Sequence, residues 1–114
     1  MSIQSWSENI VVVDLQDDPA FSDDLIAITD QVNTDDAVDV VLNFDGVEYV
    51  NSSNLAKLLK LRKVLIASQR KLVICGVDTA VWGIFLVTGL EKVFDFADNL
   101  TIALAGLQIE RGPV

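Results

Sequence analysis

Two hydrophobic patterns alternate along the chain. Short β-branched runs at Ile10 to Leu15 (IVVVDL), Val38 to Phe44 (VDVVLNF), Lys71 to Cys75 and Val93 to Phe96 predict strands. Asp17-Asp18-Pro19 closes the first of them as a turn, and Ile3 to Trp6 predicts an edge strand ahead of it. Helical spacing fills the gaps. Ser22-Asp23-Asp24 opens a first helix with Leu25, Ile26, Ile28, Thr29 and Val32 on its inner side. From Ser52 or Ser53 to about Ser68 a second helix carries Leu55, Leu58, Leu59, Leu65 and Ile66 inward and Lys57, Lys60 and Lys63 mostly outward. A third, capped by Asp78 or Thr79, runs through Val81, Trp82, Phe85, Leu86 and Val87 to a stop at Gly89, with Trp82 and Phe85 as core residues. Asp98 is the expected cap of a closing helix through Leu100, Ile102, Ala103, Leu104 and Leu107, followed by a frayed Arg111-Gly112-Pro113-Val114.

Strands alternating with helices imply an α/β fold with a mixed, largely parallel sheet of four to five strands and about four helices. The apolar density of Val38 to Phe44 suits a central strand covered on both faces. No linker or repeat divides the chain, so residues 1–114 read as one domain. In such folds partners and ligands meet the loops at the carboxyl ends of the strands, which places 46–54 and 76–78 on one functional edge.

Composition narrows the chemistry. The chain has 114 residues and no histidine, so Ser-His-Asp and Cys-His nucleophile pairs and histidine metal sites are excluded. Cys75 is the single cysteine, which excludes an internal disulfide and multi-cysteine metal patterns and suits a small apolar strand residue. The six glycines form no phosphate-cradling loop. No cofactor, metal or catalytic residue is therefore expected, and the chain reads as a binding module and not an enzyme. The apolar runs are too short to span a bilayer, and MSIQSWSENI lacks the basic start of a secretory signal, so no membrane insertion and a cytoplasmic location are expected.

A net charge of −9 argues against nucleic acid as a partner. The charge is also unevenly distributed. Residues 1–50 hold twelve acids and no Lys or Arg, whereas 57–71 hold six bases and no acid. These are either solvated helix faces attracting each other across the fold or a basic edge that steers an acidic partner.

The junction Asn51-Ser52-Ser53-Asn54 joins the second firm strand to the second helix. On local physics these residues supply an N-cap and first turn. A helix N-terminus also presents unpaired N–H groups and partial positive charge, so a phosphate on Ser52 can be carried there without unfolding the domain.

Val38 to Leu61, VDVVLNFDGVEYVNSSNLAKLLKL, resembles the middle of STAS domains, the anti-sigma factor antagonists, in which a strand and loop lead to Asp-Ser-Ser-Gly-Leu at a helix start. Leu86 to Phe96, LVTGLEKVFDF, is similar to the family's Leu-x-x-Thr-Gly-Leu and last strand. The resemblance implies a STAS-like fold and an antagonist that captures an anti-sigma factor and is released when that factor's serine kinase activity phosphorylates Ser52. It makes Ser53 the second hydroxyl of the motif and Leu55 the anchor of the first helical turn. The implied partner surface is the edge from Gly46 to Lys63, with Glu48, Asn51, Ser52, Ser53, Asn54 and Lys57 in it. Asn51 and Asn54 stand where the family has Asp and Gly, and DLQDDPAFSDDL replaces its usual first-helix signals. Those departures keep an alternative open, a non-phosphorylated STAS scaffold or accessory subunit of a signalling complex or lipid transporter. A small-molecule-binding domain or enzyme of flavodoxin-like shape is disfavoured by the missing histidines and glycine loops.

Overall fold

The computed structural model describes residues 2–34 and 38–111, with side chains described as far as Ile109. Five strands, β1 (Ile3–Ser5), β2 (Ile10–Gln16), β3 (Asp39–Gly46), β4 (Leu72–Cys75) and β5 (Asp95–Ala97), form one sheet in that order. The edge strand β1 is antiparallel to β2, and the remaining pairs are parallel. Four helices connect and close it: α1 (Ala20–Thr34), α2 (Ser52–Ala67), α3 (Thr79–Thr88) and α4 (Leu100–Arg111). The expected α/β fold with a mixed sheet is what forms.

Strand alternation divides the core into two layers. Val11, Val13 and Leu15 of β2, Val40, Leu42 and Phe44 of β3, and Leu72 and Ile74 of β4 pack against α1, α2 and α3. Ile10 and Val12, Val41 and Cys75 face the other way, onto Ala103, Leu104 and Leu107 of α4. β3 is thus buried on both faces at the centre of the sheet, as its uninterrupted apolar run requires. Phe85 stands among three rings, with centroids 5.1 Å from Phe96, 6.1 Å from Phe94 and 6.2 Å from Phe44, at the tilted and edge-on angles that aromatic quadrupoles favour.

Several expected positions shift. α1 begins at Ala20, two residues before Ser22, because Asp18 caps it: the Ser22 N–H donates to Asp18 Oδ1 at 2.9 Å. The last strand is Asp95–Ala97, since the 3-10 turn at Leu90–Lys92 draws in Val93 and Phe94, whose N–H groups donate to the Leu90 carbonyl at 3.0 and 3.3 Å. Asn99, not Asp98, caps α4, with the Ile102 N–H donating to Asn99 Oδ1 at 2.9 Å. Ile26, Leu59 and Ile66, expected on inner faces, are exposed, and Trp82, expected in the core, is half-buried. A helix packed with one side on the sheet buries a narrow stripe, which on α2 is Leu55, Leu58, Leu61 and Leu65. The frayed tail falls, from Gly112 onward, outside the described residues, while Arg111 closes α4.

Glycine is required where β4 ends. Gly76 has φ +71, and a Cβ there would collide with Asp45 Oδ1 and stand 3.0 Å from Asn43 Oδ1. Gly76→Ala is therefore expected to lower stability by about 1–3 kcal/mol, read as a shift of the urea midpoint with an unchanged slope. This close approach brings the β4–α3 turn against the end of β3 and holds 46–54 and 76–78 on the same edge of the sheet.

Candidate functional site

The loop after β3 is shaped by two buried valines. Val47 and Val50 point into the core, leaving Glu48 and Tyr49 exposed between them. The backbone of this exposed segment is tied to the turn after β2, because the N–H groups of Glu48 and Tyr49 both donate to Asp17 Oδ1, at 2.8 and 3.2 Å. Loop and turn are more than thirty residues apart in sequence, and one carboxylate fixes their spacing.

The start of α2 is a reciprocal cap. The Asn54 N–H donates to Asn51 Oδ1 at 2.8 Å, and the Asn51 N–H donates to Asn54 Oδ1 at 2.9 Å. Asn54 is 1% exposed and uses its remaining donors outside the helix: Nδ2 reaches Asp18 Oδ2 at 2.9 Å and Ser22 Oγ at 3.3 Å. Asp18 Oδ1 in turn accepts from the Ser22 hydroxyl at 2.7 Å. Asn54 thus latches the first turn of α2 to the first turn of α1.

These bonds set the charge at the latch. Hydrogen bonds from Asn54, then Ser22, hold the exposed Asp18 carboxyl below its ordinary value of 3.8. A depressed folded-state pKa means that Asp18 contributes stability above its unfolded value and loses it as pH falls through the folded one. Asp18→Asn is therefore expected to be less stable than the parent protein at neutral pH, with the gap narrowing below about pH 4; parallel urea titrations across that range check this.

Ser52 and Ser53 occupy different environments at the same helix end. Both are exposed, but the Ser53 hydroxyl accepts from Lys57 Nζ at 2.8 Å, one turn along. The Ser52 hydroxyl makes no hydrogen bond among the described residues. The first turn of α2 holds no acidic residue of its own, so its amide dipoles keep their positive potential. Leu55 is buried beneath this turn. Asn51, Ser52, Ser53, Asn54 and Lys57 therefore lie together, with Glu48 beside them on the loop.

Cys75 does not belong to this chemistry. It is fully buried, and desolvation, then the charges of Asp45 and Asp14, push its thiol up to about 11, so it is a core residue and no nucleophile. Among the described residues no cluster of acids and cysteines has the arrangement of a metal site, and no helix is long and apolar enough to cross a membrane.

Sequence reasoning missed Asp17, Asp18, Ser22 and Tyr49. The Asp17-Asp18-Pro19 turn was visible, but nothing local shows that its carboxylates reach across to the second helix. Tyr49, 63% exposed beside Ser52, was legible as an aromatic in a loop.

Residues 8–103 match the family model of the STAS domain. This chain belongs to the STAS family. The same fold occurs in RsbS of Moorella thermoacetica (TM-score 0.79, 18% identity, 92% of each chain covered). It also occurs in the Bacillus cell fate determinant SpoIIAA in its phosphorylated form (TM-score 0.73, 16% identity, 93% of this chain and 97% of that one). A sulfate transporter family protein from Wolinella succinogenes shares it as well (TM-score 0.74, 16% identity, 94% and 93% covered). At these identities the likeness is one of fold.

Proposed function

We propose that this STAS protein is an anti-sigma factor antagonist, a non-catalytic switch that binds an anti-sigma factor through the edge formed by Glu48, Asn51 to Asn54 and Lys57. Phosphorylation of Ser52 by that partner's serine kinase activity ends the association. The observation that carries the reading is the contrast at the α2 N-terminus: Ser52 offers an exposed hydroxyl with no bond to break, while the side chains of Asn51, Ser53 and Asn54 are engaged. Supporting it, SpoIIAA, which has the same fold, exists in a phosphorylated form.

The chemistry asks little of this chain. The kinase supplies Mg-ATP and the base. Ser52 Oγ forms the new bond to the γ-phosphorus, ADP leaves, and the hydroxyl proton passes to the kinase. The phosphoserine adds roughly −1.5 to −2 charges at pH 7 to an edge that already carries Glu48, yet sits at a positive helix end, so the fold tolerates it while a packed partner is repelled.

Incubation with the cognate kinase and ATP followed by mass spectrometry tests the site. Phosphate on Ser52, abolished in Ser52→Ala and kept in Ser53→Ala, supports the assignment; phosphate elsewhere sinks it.

A second reading is favoured by the Asn54 latch and by the transporter-family neighbour. In it the protein is a constitutive STAS subunit of a larger assembly. That reading expects stable co-purification with the assembly and no effect of Ser52→Glu on it.

A further inference from the structure

A cleft of about 230 Å³ lies between the start of α3 and the turn from β5 into α4, lined by Val77, Trp82, Phe96, Ala97 and Asp98. Its volume falls below the roughly 300–1,000 Å³ of drug-sized sites, so it suits a compact ligand.

Folding accounts for only part of this lining. Phe96 packs on Phe85 of the core at 5.1 Å, and Trp82 meets Phe96 edge-on, with centroids 5.0 Å apart and planes at 87°. Perpendicular rings form a corner and not a stack, and Trp82 stays half-buried along the cleft. Two acids stand close by in the turns. Asp78 is engaged as the cap of α3, accepting from the Val81 N–H at 2.8 Å. Asp98 has no such task, because Asn99 caps α4, and among the described residues its exposed carboxylate makes no hydrogen bond or ion pair.

The charges give the sign of the ligand. The segments at the carboxyl ends of the four parallel strands, residues 14–19, 43–48, 75–79 and 96–99, hold seven acids and no Lys or Arg, so this edge of the sheet draws cations. Asp98 is the one charged side chain lining the cleft. The walls then select the kind of cation. A calcium ion takes about six to eight oxygen ligands and a primary ammonium carries several N–H donors, yet the lining side chains supply a single carboxylate. A quaternary ammonium needs no acceptor. Its methyl groups pack on apolar walls, and its charge is attracted to aromatic faces within about 6 Å.

We propose that this cleft binds a small quaternary ammonium ion, its methyl groups on the Trp82 and Phe96 rings and its charge facing Asp98. Both attractions act on charge, so a neutral molecule of the same shape gains only the apolar contact. The site is independent of the reading given for Ser52.

NMR titration of the full ¹⁵N-labelled chain with choline, at an ionic strength held constant with sodium chloride, tests it. Dimethylbutanol, in which carbon replaces the charged nitrogen, is the neutral isostere. The expected result is saturable shifts confined to 77–82 and 96–99 for choline, with the indole N–H of Trp82 moving and that of Trp6 still, and about tenfold weaker binding of the alcohol. Asp98→Asn, at an exposed position without partners, weakens choline binding severalfold and leaves the alcohol unaffected. Trp82→Leu weakens choline binding more than Trp82→Phe, which keeps a ring. Sedimentation with phosphatidylcholine vesicles separates the sources of the ion: co-sedimentation reversed by free choline assigns a lipid headgroup, and its absence assigns a dissolved ligand. The proposal is overturned if choline shows no saturable binding in the millimolar range, if its shifts fall elsewhere, if the alcohol binds as tightly, or if Asp98→Asn binds choline as the parent does.

Discussion

Replacing Asn54 by alanine is expected to lower the unfolding free energy by about 3 kcal/mol, through loss of a helix cap and of partners for buried polar groups. The side chain is 1% exposed and its amide serves three groups at once: the Asn51 N–H, Asp18 Oδ2 and Ser22 Oγ. Truncation removes all three and leaves their buried partners unsatisfied. For a chain of 114 residues this corresponds to a fall in melting temperature of roughly 12 °C. Asn54→Asp separates shape from chemistry. It can still accept from the Asn51 N–H, but it turns the donor facing Asp18 into a second carboxylate oxygen. At neutral pH it should be at least as destabilised as the alanine variant, and it should recover stability as either carboxyl protonates on acidification. Calorimetric melting temperatures at pH 7 and pH 4 check both statements. An alanine variant as stable as the parent would mean that the latch contributes nothing.

The second large effect concerns binding. Under the proposed function, phosphate on Ser52 weakens association with the anti-sigma factor by about a hundredfold, a change of about 3 kcal/mol. Two physical contributions reach that size. A dianionic group must be accommodated in a surface that was packed against the partner, and it adds to an edge that already carries Glu48, so any acidic feature of the partner meets more negative charge. Lys57 is near enough to respond, because its ammonium already donates to Ser53 at 2.8 Å in the same turn of helix. Its movement toward the phosphate would withdraw a positive charge from the edge and add to the loss. The fold itself should hardly change stability on phosphorylation, since the latch lies on the buried side of the turn and Ser52 on the exposed side.

Much of this architecture was legible in the sequence because strand and helix periods are local. The β-branched runs at Ile10, Val38 and Lys71 announce a buried sheet, and Asp78 and Gly89 bracket α3 without help from the rest of the chain. What failed was the assignment of faces. Leu59 and Ile66 belong to the apolar spacing of α2, but the helix buries only the Leu55, Leu58, Leu61 and Leu65 stripe against the core. That selection is made by α1 and the sheet together. The site was half legible for the same reason. Asn51 to Asn54 could be read as a capped helix start, and the family resemblance drew Ser52 out of it. Asn54 could be seen only as a departure from the family's glycine, because its function lies in Asp18 and Ser22, more than thirty residues earlier, and no periodicity reports a contact of that kind.

The most direct test of the switch is calorimetric titration of the anti-sigma factor with three forms of the chain: unmodified, enzymatically phosphorylated, and Ser52→Ala carried through the same kinase reaction. Binding by the unmodified form and by Ser52→Ala at similar affinity, with about hundredfold weaker binding by the phosphorylated form, is the predicted result. Equal affinity of all three forms, or no binding by the unmodified one, would contradict the account.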